Sequence, residues 1–325
     1  MAGVVRALIA FLAVLIATPA IAQSKVSRIG FLGLSTAKTP VTLTRLEAFR
    51  AGLRELGYVE GKNISLEFRW ADNDYGRLPG LAEELVRAKV DILVTYATPG
   101  AMAARKATRS IPIVLASVGD PVSTGLVPNL ARPGGNITGL AMFTPDEMAK
   151  RVELLKDALP DIQRIAVLIN PNNASSYPGV ARARQVAGKL KVHLLAVEAR
   201  GAADFERAVA EVVKGRAEAL VVHEDPIFTA EGRKLIALTI RHRLPTIGAV
   251  SFAETGGMIG NGVNQNDLFH RAAGYVDQII KGARPADLAI QQPARFELVV
   301  NQSTLTALGV TLPKAFLFRT DRIID

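Results

Sequence analysis

The sequence predicts an α/β protein built as two doubly wound parallel-sheet lobes joined by a three-segment hinge. Three observations carry this. Apolar runs of strand length alternate with helical patterns through the first half, and that alternation restarts after residue 143. In addition, five apolar runs end in a polar residue followed by proline: Thr98-Pro99, Asp120-Pro121, Thr144-Pro145, Asn170-Pro171 and Asp225-Pro226. Proline suits the first helical position, where a missing N–H costs nothing, and Thr, Asp and Asn cap helices from just before it. Each pair therefore predicts the carboxyl end of a strand turning into a helix. In open α/β sheets, ligands bind in the crevice outside those ends.

The first 22 residues predict a cleaved signal peptide, with Arg6 as n-region, Ala7–Ala17 as apolar core and Ala20-Ile21-Ala22 as cleavage site before Gln23. Arg28–Leu34 is the first strand. Leu46, Phe49, Leu53 and Leu56 then mark one face of a helix ending near Gly57. Ile64, Leu66, Phe68 and Trp70 alternate as a strand, and Leu78, Leu81 and Leu85 mark the next helix. Asp91–Thr95, Ile111–Ala116 and Ile137–Phe143 follow as strands, with short helices starting at Pro99 and Pro121.

Thr144-Pro145-Asp146-Glu147 reads as a capping box opening a helix with Met148, Val152, Leu155 and Leu159 on one side. Strands at Arg164–Ile169, Val192–Val197, Ala219–His223 and Thr246–Ala249 alternate with helices around Val180–Leu190, Phe205–Val213 and Glu231–Arg243. Past Met258 the alternation breaks. A Gly-rich strand-like run, an amphipathic helix through Phe269 to Ile280, and a strand at Phe296–Val300 predict crossings near 143, 262 and 290. The expected lobes are 24–142 with 262–289, and 143–261 with 290–325.

Composition narrows the chemistry. There is no cysteine, which excludes disulfides and thiolate metal sites, and the four histidines show no metal-ligand spacing. Each histidine reads as a surface or helix-end residue. The net charge of +9 is dispersed rather than blocked, so with an export signal it does not point to nucleic acid. No dinucleotide fingerprint, Walker A loop, serine elbow or zinc-protease motif is present, so neither cofactor nor metal is expected.

What the sequence supplies is polar strand ends. In the first half these are Ser35 and Thr36, then Tyr96, Ala97 and Thr98, then Ser117 and Asp120. In the second they are Asn170, Asn173 and Ser175, then Glu224 and Asp225, then Val250-Ser251, with Asn264 near the second crossing. Helix N-termini carry free N–H groups and positive partial charge, which suits a carboxylate. Asp225 or Glu224 is expected to receive an ammonium group, so the expected ligand is an amino acid or related acid.

Several segments carry a family resemblance. They include Phe49-Arg-Ala-Gly-Leu-Arg-Glu-Leu-Gly-Tyr-Val-Glu-Gly-Lys-Asn63, Gly119-Asp-Pro-Val122, Leu130-Ala-Arg-Pro-Gly-Gly-Asn-Ile-Thr-Gly139, Arg241-His-Arg-Leu-Pro245 and Phe296-Glu-Leu-Val-Val-Asn301. With these the chain resembles the periplasmic substrate-binding proteins of ABC transporters, in the TrpX-like family. Beside the resemblance, the lack of a catalytic residue set leads to the expectation of a non-enzymatic protein, and a monomer is expected. The resemblance itself implies a type I periplasmic binding fold. It also implies a small ligand held between hinged lobes and delivered to a permease with its ATPase. It departs at Gly260-Asn-Gly-Val-Asn264, where relatives carry Ser-Tyr-Gly, so an aromatic ligand does not carry over with it. Two other readings stand beside it: a ligand sensor for a receptor, and a periplasmic enzyme, which needs a clustered nucleophile, base or metal.

Overall fold

The computed structural model describes residues 26–142, 146–293 and 295–325. The signal-peptide segment, Phe143 and the Thr144-Pro145 pair lie outside the described residues. The first unit runs β1 (Ser27–Gly33), α1 (Pro40–Glu55), β2 (Ile64–Trp70), α2 (Leu78–Arg87), β3 (Ile92–Tyr96), α3 (Ala97–Ala107), β4 (Ile113–Val118) and β5 (Ile137–Ala141). Its five strands pair in parallel, in the order β2-β1-β3-β4-β5.

The second unit continues with α4 (Asp146–Ala158), β6 (Arg164–Ile169), α5 (Ser176–Lys189), β7 (His193–Glu198), α6 (Phe205–Lys214), β8 (Ala219–Val222), α7 (Pro226–Ala230), α8 (Gly232–Arg241), β9 (Thr246–Gly248), α9 (Val250–Glu254) and β10 (Ile259–Gly262). Then come α10 (Gln265–Ile280), β11 (Glu297–Asn301), α11 (Gln302–Leu308), α12 (Lys314–Leu317) and β12 (Arg322–Ile324). The second sheet has the order β12-β11-β10-β9-β8-β6-β7 and is parallel except where β11 runs against β10.

The chain is therefore α/β with two lobes, and it passes between them three times. It leaves the first sheet after β5 and returns after β10, so that α10 packs on α1, β4 and β5. It leaves again past Gln291, which hydrogen-bonds alongside β5 at Gly139 and Ala141. One core gathers Phe31, Phe49 and Val94 with Phe269 and Val276 of α10. The other lobe buries both faces of its sheet, around Val152 and Val167 on one side and Phe205 and Leu235 on the other.

Helix α1 shows why the pattern folds this way. Thr39 caps it, accepting from Thr42 N–H at 3.2 Å, and Pro40 takes the first position. Its buried stripe is Thr42, Arg45, Leu46, Phe49, Gly52 and Leu53. A Cβ on Gly52 would lie 2.4 Å from the His270 carbonyl oxygen, so only glycine lets α1 approach α10 this closely.

The proline pairs divide. Asp225 is a true N-cap, its carboxylate accepting from Ile227 N–H at 3.0 Å. Asp120 and Asn170 accept in the same way from the N–H two residues on, Val122 at 2.9 Å and Asn172 at 3.0 Å, but there the chain closes a turn and no helix follows at the proline. No helix starts at Pro121, and α5 starts at Ser176 rather than Pro171. Polar-proline is an Asx-turn signal as much as a helix start, and here the turn wins. After β3 the helix begins at Ala97 rather than Pro99, which puts Thr98 inside its first turn. Ser117 lies within β4 rather than beyond it. His223 is buried at 3 % exposure, against the expectation of a surface histidine, because β8 carries it into the lobe interior.

Candidate functional site

The loops after β2 and β8, at the carboxyl ends of strands in different lobes, touch directly. Asp72 and Asn73 hold positive φ of 53° and 67°, a conformation Asp and Asn tolerate best among side-chain residues, and turn the chain after β2. Tyr75 follows, and its hydroxyl donates to Asp225 Oδ1 at 3.0 Å. Asn73 Nδ2 donates to Glu231 Oε1 at 3.4 Å, and Gln265 Nε2 donates to Glu224 Oε1. The lobes are thus bonded across the crevice.

Asp225 is fully buried and collects four donors. Oδ1 takes Tyr75, Ile227 N–H and Asn170 Nδ2 (3.3 Å); Oδ2 takes Asn173 Nδ2 at 2.9 Å. Burial pushes its carboxyl up, while the bonds from Asn173, Asn170, Ile227 and Tyr75 pull it back. Burial beside Asp225 also holds the Tyr75 phenol well above its ordinary value. Asn173 Oδ1 is taken in turn by Ser175, through both its N–H (3.2 Å) and its hydroxyl (2.8 Å). The predicted residues Asn170, Asn173, Ser175 and Asp225 are therefore brought together, each already engaged by another.

Glu224 belongs to a second buried network. Arg151, on α4 and only 2 % exposed, donates to Glu147 Oε1 at 2.5 Å, Glu224 Oε2 at 3.3 Å and the Asn261 carbonyl at 2.7 Å. Two carboxylates share one guanidinium away from water. Burial and the nearby Glu224 charge outweigh Arg151 and push the Glu147 carboxyl up to about 8. Burial, with Arg151 nearby, pulls His223 down to about 3. The network sits against the second crossing: a Cβ on Gly262, at φ 153°, would lie 3.0 Å from Glu147 Oε1.

On the other lobe the Tyr96 hydroxyl is used by the end of β1. It accepts from Leu34 and Ser35 N–H, both at 3.1 Å, and bonds Ser35 Oγ at 3.0 Å. Ser35 Oγ continues to Thr42 in α1 at 2.9 Å. Ala97 sits at φ 53°, a strained choice costing on the order of 1 kcal/mol, and Thr98 Oγ1 is buried without a hydrogen-bond partner. Ser117 donates to Met142 Sδ at 3.2 Å, Asp120 closes its turn, and Thr36 accepts weakly from Lys38 N–H at 3.4 Å.

A cavity of about 600 Å³ lies beside these networks. It runs between the start of α1 in one lobe and α7 to α9 in the other. Of the predicted loops only Val250-Ser251 and Asn264 line it; Arg45, Glu231, Glu254 and Gln265 also do, and the sequence reading missed them. A signal existed for Arg45, and for Arg151 of the neighbouring buried network, which the sequence reading also missed. Arg45 and Arg151 each interrupt the apolar stripe of an amphipathic helix, in a position where the periodicity asks for a hydrophobe. Tyr75 and Gln265 carried no such mark.

The family model described as ABC transporter substrate binding protein matches residues 37–324. A tyrosine-binding protein of Clostridioides difficile is 27% identical over 265 residues, covering 81% of this chain and 76% of its own. The crystal structure of an ABC domain in complex with L-Trp from Streptococcus pneumoniae superposes with a TM-score of 0.84 at 24% identity, over 92% of this chain and 100% of that one. The ligand-free, open structure of a substrate-binding protein with adhesive properties from Clostridium difficile gives 0.65 at 26% identity, over 92% and 99%.

Proposed function

Since the chain belongs to the ABC transporter substrate-binding protein family, we propose that it is the periplasmic solute receptor of an importer. It captures an amino acid or related carboxylate between lobes 24–142 plus 262–289 and 143–261 plus 290–325. The closed form is then recognised by a membrane permease driven by a separate ATPase. The observation that carries this is the direct bonding of the two lobes at their strand ends, Tyr75 to Asp225 above all. A cleft that latches across itself has two states, and a ligand that touches both walls shifts the population to the closed one. The relatives support the ligand class, one named for tyrosine and one solved with L-Trp. The higher likeness to the L-Trp complex than to the open, ligand-free relative supports reading this conformation as closed.

Thermal unfolding of the mature chain against amino acids, aromatic and aliphatic carboxylates and neutral sugars tests the ligand class. A ligand held only by the folded state at a thousand times its Kd adds about 4 kcal/mol, a shift of several degrees. At least one free amino acid or carboxylate is expected to produce it. Stabilisation by sugars alone would overturn the class.

The latch has its own test. Tyr75→Phe removes one cross-lobe hydrogen bond worth about 0.5–1.5 kcal/mol, so the closed population should fall about two- to tenfold. Small-angle scattering of the apo protein should show a larger radius of gyration, and ligand affinity should drop by a similar factor. A variant matching the wild type in both would remove Tyr75 from closure.

A further inference from the structure

Two arginines are buried at the lobe junction, and they differ in one respect. Arg151, 2 % exposed, is answered by two carboxylates and two carbonyl oxygens. Arg45, 7 % exposed, is not: its Nη2 is buried with no hydrogen-bond partner, and among the described residues it forms no ion pair. What it has is the face of Phe269, 5.9 Å from the guanidinium to the ring centroid, and the more distant charges of Glu224 and Glu254, which are not hydrogen-bonded to it. Taking a cation out of water costs several kcal/mol unless a partner repays it, and a ring face repays only part. Violations of this kind persist where something binds.

Arg45 lines the 600 Å³ cavity. On the same lobe, that cavity is also bounded by the first residues of α1 (Thr39, Pro40) and of α10 (Asn264, Gln265). Both helices are 16 residues long, and their N-termini add positive partial charge to the same wall. The Asp225 loop offers no comparable vacancy, since both its oxygens are engaged.

Resting on the reading that the ligand is a small carboxylate held between the lobes, we propose that Arg45 is its anchor. The ligand's carboxylate takes the open side of the guanidinium, at the α1–α10 wall, and not the Asp225–Glu224 loop. Arg45 then sets the requirement for a free carboxylate, and the rest of the ligand extends towards the other lobe.

The test compares each of L-tyrosine, L-tryptophan and L-leucine with its primary amide, by calorimetry and thermal shift, on the mature wild type, Arg45→Met and Arg45→Gln. Wild type is expected to prefer the free acid about ten- to a hundredfold, the range of a charge-assisted hydrogen bond or pair of them. In both variants that preference should collapse to within about threefold. Because a buried cation without a hydrogen-bonded partner is replaced by a neutral side chain of similar volume, the apo melting temperature of Arg45→Met should equal or exceed that of wild type. A variant that keeps the acid preference overturns the assignment and leaves the proposed function standing. A variant with a lowered apo melting temperature and equal loss of acid and amide makes Arg45 a structural residue, which also overturns it. If wild type responds to no free acid, both the anchor and the carboxylate reading beneath it fall.

Discussion

Arg151→Met should cost about 3–5 kcal/mol of unfolding free energy, the range seen when one partner of a buried ion pair is removed. The volume change is small, so the loss comes from what is left behind. Glu147, Glu224 and the carbonyls of Asn261 and Val222 all lose a donor in a place water does not reach. Glu224 is also the acceptor for Gln265 at the start of α10, so the damage reaches the junction between lobes. Denaturant titration should show a lower midpoint with an unchanged slope. Adding Glu147→Gln and Glu224→Gln to Arg151→Met should recover much of the loss, since the acidic groups left facing each other without a donor go with their partner. A single variant within about 1 kcal/mol of wild type would remove Arg151 from the centre of the network.

Stability should pass through a maximum in mildly acidic solution, and the sign follows from two buried groups. His223 titrates near 6.5 when unfolded and is pulled down to about 3 in the fold. Between those values the unfolded chain holds more protons, so stability rises with pH. Glu147 is pushed from 4.5 up to about 8. Between those values the folded chain holds more protons, so stability falls as pH rises. The two slopes oppose each other from 4.5 to 6.5, leaving a plateau there and a decline on each side. Each decline is on the order of a few kcal/mol. Glu147→Gln, which mimics the protonated acid, should flatten the fall between pH 6.5 and 8 and leave the acid side alone. Unfolding midpoints across pH 3.5 to 8 read this directly, and an unchanged alkaline slope in Glu147→Gln would sink the assignment.

The sequence by itself determined the architecture. The alternation of period-two and period-3.6 apolar patterns placed β1 to β10 and the long helices within a few residues, because those patterns are local and each lobe needs them to bury its sheet. Capping was legible only where the local geometry was unambiguous. Asp225-Pro226 opens α7, but Asp120-Pro121 and Asn170-Pro171 close turns with the same two residue types. The buried charges were half legible: Arg45 and Arg151 are visible as breaks in an apolar stripe, and nothing nearby names their partners. Arg151 meets Glu224 across 73 residues, Gln265 meets Glu224 across 41, and Tyr75 meets Asp225 across 150. Hydrogen bonding and desolvation act over a few ångströms in space, whereas sequence patterns act over one or two helical turns along the chain. Which polar strand ends are already engaged, which arginine is left without a partner, and where a cavity remains between the lobes were therefore decided only when the chain folded.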